Sequence, residues 1–154
     1  MTAPAISHLI CTSALVVLIF VMPFFYVTIA DDIQMNTLRR ELKEITDYVS
    51  NTLANLHFLV NSSDSIDVSL EKQLLYLPSS VGDQIYILEI DGSGANASSI
   101  VAYLKHKSSV KVEAWLLPGL KKDTQYQSIE SREEVAVVGC RRNGTDFYVW
   151  IKYT

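Results

Sequence analysis

The first 30 residues contain no Lys, Arg, Asp or Glu, and no other feature of the sequence constrains the fold as strongly. All 13 basic and 17 acidic residues come later, from Asp31 onward. Residues 6–30 form an apolar run whose polar members are Ser7, His8, Thr12, Ser13 and Thr28. A helix of this length rises about 37 Å, more than the roughly 30 Å hydrocarbon core of a bilayer. The sequence therefore predicts a transmembrane helix over residues 6–30.

A cleaved secretory signal peptide is the alternative interpretation of this segment. Signal peptides have a basic amino-terminal region, an apolar core of about 7–15 residues and a cleavage site between small residues. The apolar run is longer than such a core, and residues 1–5 carry no basic side chain. Thr28 and Ala30 offer a passable cleavage site, with cleavage after Ala30. We expect an uncleaved anchor with a kink at Pro23, which transmembrane helices tolerate.

Residues 32–60 carry a regular apolar pattern. Seven positions, called the apolar stripe below, recur every three or four residues: Leu38, Leu42, Ile45, Val49, Leu53, Leu56 and Val60. This spacing is close to the helical period, and charged residues occupy the other faces. The sequence predicts an amphipathic helix over residues 32–60 that continues the transmembrane helix, so residues 1–60 form one region. The apolar stripe packs either on the chain's own C-terminal domain or on neighbouring copies.

From residue 63 onward, short apolar segments alternate with turn signals. The predicted strands cover residues 68–77, 84–90, 99–106, 109–117, 125–130, 134–141 and 146–152. Their connections are too short for helical crossovers, so we expect antiparallel pairing. The last strand is apolar on both faces and is expected to be central or covered. The predicted fold class is α+β, with a long N-terminal membrane-spanning helix followed by a small antiparallel β-sandwich or meander domain over residues 63–154.

The sequence offers no pattern typical of a catalytic or metal-binding site. His8, His57 and His106 stand alone, without Cys or carboxylate residues at ligand spacing. Nucleophile elbows and phosphate-binding loops are absent from the sequence, so we expect no enzyme activity, metal, cofactor or small-molecule substrate. The net charge of −4 argues against nucleic acid as a partner. Cys11 and Cys140 fall in different regions, which excludes a disulfide framework.

Two signals give opposite predictions for the orientation in the membrane. Arg39, Arg40 and Lys43 follow the transmembrane helix, and basic residues favour the cytoplasmic side. The sequence also has three acceptor triplets for N-linked glycosylation, which begin at Asn61, Asn96 and Asn143. Chance gives about one such triplet in a chain of this composition, and all three fall in predicted turns. We therefore expect the C-terminal domain to lie outside the cytoplasm.

The layout resembles that of archaeal type IV pilin-like proteins, including archaellins and archaellum accessory proteins. The likeness rests on an uncharged N-terminal helix that continues into an amphipathic helix and then into a β-rich domain with glycosylation triplets in turns. Residues 77–90, LPSSVGDQIYILEI, are similar to a stretch of such proteins in which a Leu-Pro turn precedes a strand. In that family the helix packs in a filament core or in the membrane, and the β domain faces outside.

This resemblance implies a non-enzymatic structural or accessory subunit of an archaeal cell-surface filament or envelope complex. Its partners are then the lipid bilayer and other pilin-like subunits, which it contacts through the N-terminal helix. Pilins carry a basic segment and a small residue at their processing site, whereas residues 1–5 offer only Ala3 or Ala5 as the small residue. An unprocessed, membrane-retained accessory protein therefore fits at least as well as a major filament subunit.

Two other functions fit the same sequence. A single-span membrane protein can present the β domain as a binding module to an extracellular partner, and it differs from the pilin-like protein in that its helix does not self-associate. A membrane-tethered enzyme needs titratable groups clustered in a cleft, and the sequence gives no sign of them.

Overall fold

The computed structural model describes residues 3–132 and 134–154, so Met1 and Thr2, which belong to the segment compared with a signal peptide, lie outside the described residues. Within these residues, one helix and eight strands follow one another: α1 Ala3–Asn61, β1 Asp67–Leu74, β2 Tyr86–Asp91, β3 Ser99–Leu104, β4 Lys107–Trp115, β5 Leu120–Lys122, β6 Ser128–Glu130, β7 Ala136–Asn143 and β8 Asp146–Tyr153. By their contacts the residues form two units, Met1–Thr37 and Leu38–Thr154.

Helix α1 is continuous through both sequence patterns that predicted it, and Pro23 lies inside it. Its end coincides with the polar cluster that follows the last apolar position. There the backbone N–H of Ser62 donates to the carbonyl oxygen of Phe58 at 3.0 Å, and that of Ser63 donates to Val60 at 3.3 Å. These bonds satisfy carbonyl groups that the last helical turn leaves without partners. Polar residues with local backbone bonds therefore end the helix.

The unit Leu38–Thr154 contains two four-stranded sheets. Sheet 1 has the order β1-β7-β8-β5, and sheet 2 has the order β4-β3-β2-β6. All strand pairs are antiparallel except β5 with β8, which is parallel. The predicted α+β class, with a long N-terminal helix and a small, mainly antiparallel sheet domain, is confirmed. The parallel pair departs from the expected antiparallel pairing. That expectation concerned strands joined by short connections, whereas β6 and β7 lie between β5 and β8 in the sequence.

The seven predicted strands are present with shifted ends, and β5 is an additional strand. Sequence alone does not predict β5 because three residues, Leu120–Lys122, are too few to show a period. The strand forms through its pairing with β8. The last strand, β8, lies between β7 and β5 in sheet 1, which confirms its predicted central position.

Sheet 2 buries one face over most of its width. In β2 the buried residues alternate with half-exposed ones, and their Cα partners in β3 are also buried: Tyr86 with Leu104, Leu88 with Ala102, and Ile90 with Ile100. In β4, Val110 and Ala114 are buried, whereas Lys111 and Glu113 are exposed. This alternation is typical of a strand with one face buried and the other open to solvent.

Contacts in the structure group the second part of α1 with the sheets. The apolar pattern places the boundary after residue 60 and treats residues 63–154 as the β domain. In the structure the boundary lies between Thr37 and Leu38, so the second part of α1 belongs to the same compact unit as the sheets. The physical reason is the apolar stripe, whose burial is described below.

Candidate functional site

The apolar first part of α1 exposes large apolar side chains along its length. The 16 large apolar side chains between residues 6 and 29 are all exposed, with exposed fractions from 43 to 76 %. A continuous apolar surface of this size is very unfavourable in water. The segment therefore requires an apolar environment that the described part of the chain does not supply.

The dimensions of the segment match those of a bilayer. α1 is long and apolar enough to cross a membrane, and it is the one such helix within the described residues. Its uncharged run over residues 6–30 rises about 37 Å, against a hydrocarbon core of about 30 Å. Charged residues resume at Asp31 and Asp32, at the end of this run. These features fit a single-pass membrane protein.

Hydroxyl groups within the segment form hydrogen bonds inside the helix. Thr12 and Thr28 donate to the carbonyl oxygens four residues earlier, at 2.6 and 2.9 Å, and Ser13 donates to the one three residues earlier, at 2.9 Å. A hydroxyl group without a partner costs several kcal/mol in a hydrocarbon medium. Because these three hydroxyl groups have hydrogen-bond partners, the free-energy cost of placing them in a membrane is much smaller than for free hydroxyl groups.

The apolar stripe is covered by the chain itself. Six of its seven positions are buried: Leu42, Ile45, Val49, Leu53, Leu56 and Val60. The seventh, Leu38, is half-buried and lies so close to Gly82 that a Cβ atom on Gly82 would overlap it. Sequence analysis left two alternatives for the stripe, packing on the same chain or on other copies. In the structure it packs within the unit Leu38–Thr154.

Two polar side chains of α1 also bind the outer edge of β4. Lys43 Nζ donates to the carbonyl oxygen of Glu113 at 2.9 Å, and Ser50 Oγ donates to that of Trp115 at 2.7 Å. The two carbonyls are two residues apart in the strand and therefore point to the same edge. The helix thus satisfies polar groups on an edge strand that is otherwise open to pairing with another chain. No sequence signal indicates this role of Lys43 and Ser50.

His57 contributes to packing between α1 and β8. Its ring centroid lies 4.6 Å from that of Phe147 in an edge-to-face arrangement. Burial lowers the pKa of His57 below the ordinary value of 6.5, because it disfavours the charged imidazolium. Its Nδ1 atom is buried and forms no hydrogen bond with the described part of the chain. Within residues 3–132 and 134–154, no group of three His, Cys, Asp or Glu side chains is placed to hold a metal ion.

We expect the unit Leu38–Thr154 to lose stability as the pH falls below about 6.5, and we expect His57→Leu to reduce this loss. In the unfolded chain the imidazole has its ordinary pKa, whereas in the folded chain the pKa is lower. Between the two values the unfolded state binds the proton first, so the free energy of unfolding falls as the pH is lowered through this window and does not change above it. Thermal unfolding on both sides of pH 6.5 measures the difference. Equal pH dependence in the two proteins would contradict this role of His57.

The two cysteines are unpaired and lie in different units. Cys11 belongs to the apolar segment. Cys140 in β7 is completely buried, and burial raises the pKa of its thiol to about 11. Because the thiolate is the reactive form, Cys140 is inert at neutral pH. The chain therefore suits labelling through introduced cysteines.

Sheet 1 joins two basic positions that are distant in the sequence. Lys121 in β5 and Arg141 in β7 are both register partners of Tyr148 in β8, so the three residues form one row. Lys121 Nζ lies 2.7 Å from Asp146 Oδ2 and 6.0 Å from the centre of the Tyr148 ring. The carboxylate partly neutralises the lysine, so the row stabilises the sheet rather than forming an open anion site. Sequence reasoning misses this row because it misses β5.

All three glycosylation acceptors lie on the surface. Asn61 is the last residue of α1, Asn96 precedes β3, and Asn143 is the last residue of β7; each is exposed. Gly144, after Asn143, has a φ of +64°, which the Asn-Gly hairpin turn between β7 and β8 requires. The acceptors therefore occupy the kind of position at which a glycan can be attached.

Comparisons with protein-family models, with curated proteins and with solved structures found no match.

Proposed function

We propose that the chain is a non-enzymatic, membrane-anchored protein of pilin-like type, acting as a structural or accessory subunit of an archaeal cell-surface filament or envelope complex. The observation that supports this proposal most is that the two parts of one continuous helix have different surroundings. The first part of α1 is apolar and exposed, while the part after Leu38 is built into the sheet unit. Such a helix couples a membrane anchor directly to a folded domain.

We place the unit Leu38–Thr154 outside the cytoplasm. Two of the three basic residues that favour the opposite orientation, Arg40 and Lys43, take part in contacts within the fold. Lys43 binds both Asp47, at 2.8 Å, and the edge of β4, and Arg40 lies 3.3 Å from Glu44. The presence of these two residues in the sequence is thus accounted for without a signal for orientation. The three exposed acceptor asparagines support the outside location.

Association between copies, in this proposal, uses residues 6–30. The apolar stripe is not available for it, because the chain's own unit buries six of the seven positions. The apolar segment presents exposed side chains on all its faces and can pack against identical segments in the membrane, where contacts between close-packed helices provide the driving force.

A single-span protein that presents the sheet unit as a binding module is the second candidate. The burial of the apolar stripe favours it, because the stripe was the one surface that the sequence suggested for contacts between copies outside the membrane. The two candidates differ in whether the apolar segments associate.

A cysteine scan of the apolar segment separates the two candidates. In a Cys11→Ser background, cysteine is placed in turn at Val16, Val17, Leu18 and Ile19, which sample the whole helix circumference at about 100° per residue. We expect oxidation of native membranes to link copies at one or two of these positions. Cysteine at the exposed Asn51 is the control for chance collisions. Absence of dimers at all four positions would contradict self-association and favour the binding module.

A further inference from the structure

The acceptor triplets that begin at Asn61 and Asn143 are neighbours in the fold, although 82 residues separate them. Arg142 Nη1 donates to the carbonyl oxygen of Ser63, the third residue of the first triplet, at 3.3 Å. Close by, the N–H of Gly144 donates to the carbonyl oxygen of Ile66 at 3.3 Å. The end of α1 and the β7–β8 turn therefore form one continuous surface.

The triplet that begins at Asn96 joins the same surface through β5. Asn96 forms an antiparallel bridge with Lys121, and the N–H of Ala97 donates to the carbonyl oxygen of Leu120 at 2.8 Å. Lys121 in turn binds Asp146, whose register partner in β7 is Asn143. Asn96 and Asn143 are thus about three strand spacings apart across sheet 1 and two residues apart along it, or about 16 Å.

This surface lies at one end of the unit Leu38–Thr154. Along α1, Asn61 is about 35 Å from Leu38, where the chain enters the unit from the apolar segment. In sheet 2, Asn96 follows the end of β2 at Asp91, whereas the β3–β4 turn, with Lys107, lies at the opposite end of the strands. The three acceptors therefore share one end of the unit, opposite to the end at which the chain enters it.

We propose that Asn61, Asn96 and Asn143 form a single N-glycosylated surface, here called the glycan end, that covers the β7–β8 turn and the β5 edge of sheet 1. This inference rests on the proposed location of the unit outside the cytoplasm. The three asparagines are exposed, and no hydrogen bond among the described residues uses their side-chain amides. Partner proteins then approach the unit away from the glycan end.

The co-reactant is an oligosaccharide carried on a polyprenyl phosphate or diphosphate. The asparagine Nδ2 atom forms a bond to the sugar C1 atom and loses one proton. The bond between that C1 atom and the phosphate oxygen breaks, and the lipid phosphate leaves with the bonding electrons. No oxidation or reduction occurs, and the exposed amide is the group that the transfer requires.

The first measurement is the mass of each acceptor peptide from the full chain, isolated from membranes of an archaeal host that carries out N-glycosylation. We expect added sugar mass at all three asparagines. Ser63→Ala, Ser98→Ala and Thr145→Ala should each remove the modification at their own triplet, whereas Thr145→Ser should keep it. Asn55, which begins no triplet, serves as an unmodified control. An unmodified peptide at any of the three acceptors overturns the proposal.

The second measurement tests whether the glycans share one end. A cysteine at Ser93, whose carbonyl oxygen accepts from the N–H of Asn96, should react with a bulky maleimide several-fold more slowly in the glycosylated chain than in the triple variant without acceptor hydroxyls. A cysteine at Lys107 should react equally in both. Equal rates at Ser93 overturn the shared glycan end. If the cysteine at position 107 is labelled from outside intact cells but the acceptor peptides carry no sugar, the glycan end is refuted and the location of the unit outside the cytoplasm still holds. If that cysteine is not labelled from outside, the proposed location is refuted as well.

Discussion

Leu53→Asp is expected to unfold the unit Leu38–Thr154. Leu53 is completely buried in the centre of the apolar stripe. An unpaired carboxylate there costs several kcal/mol, whether it stays charged or takes up a proton, and the substitution also removes the packing of a large side chain. A small domain has only about 5–15 kcal/mol of stability, so this loss removes most or all of it. Thermal unfolding of the full chain in detergent, followed by circular dichroism of the strands, measures the effect.

Leu59→Asp is the matched control for this prediction. Leu59 lies on the same helix, six residues further on, but 58 % of it is exposed. The same change should therefore alter stability by no more than about 0.5 kcal/mol. If the two variants unfold at the same temperature, the stripe does not pack within the chain. Dissociation of an oligomer with an unchanged unit would instead point to packing between copies.

Gly139→Ala is expected to destabilise the unit by about 1–3 kcal/mol, although the change adds one methyl group. Gly139 in β7 pairs with Trp150 in β8, and the indole ring lies directly over the glycine. A Cβ atom would overlap three atoms of the ring and displace it. Trp150 is 7 % exposed, so it has little room to move without opening the core. Chemical denaturation, monitored by tryptophan fluorescence, measures the change in the free energy of unfolding.

A double-mutant cycle identifies the cause of that loss. In a Trp150→Leu background, where the smaller side chain leaves space, Gly139→Ala should cost much less than in the parent chain. An interaction free energy of about 1 kcal/mol or more is the expected signature of direct contact. If the two changes are additive, the glycine is needed for a reason other than the indole ring.

The long-range layout of this chain is readable from sequence because it rests on periodic patterns. The uncharged run before Asp31 and the recurrence of Leu42, Val49 and Leu53 each repeat over many residues, so chance variation at one position does not obscure them. The Asn143-Gly144 turn is equally local, because the conformation that its glycine needs is a property of the dipeptide.

Features that depend on tertiary contacts are not readable in this way. The sequence left open which surface covers the apolar stripe, because helical periodicity shows that a face is buried but not what buries it. Strand β5 arises from pairing with β8, and Ser50 binds a carbonyl oxygen 65 residues away. The meeting of the three acceptor triplets likewise depends on β5, so it becomes visible only in the structure.

Labelling of an introduced cysteine shows directly whether a membrane anchor presents the unit Leu38–Thr154 outside the cytoplasm. Lys107→Cys is made in a Cys11→Ser background, where Cys140 stays inert because it is buried and the pKa of its thiol is raised to about 11. Intact cells are treated with a membrane-impermeant maleimide, and their membranes are then washed with alkaline carbonate. We expect labelled protein that remains in the washed membranes. Labelling only after cell lysis, or release of the protein by the carbonate wash, would contradict it.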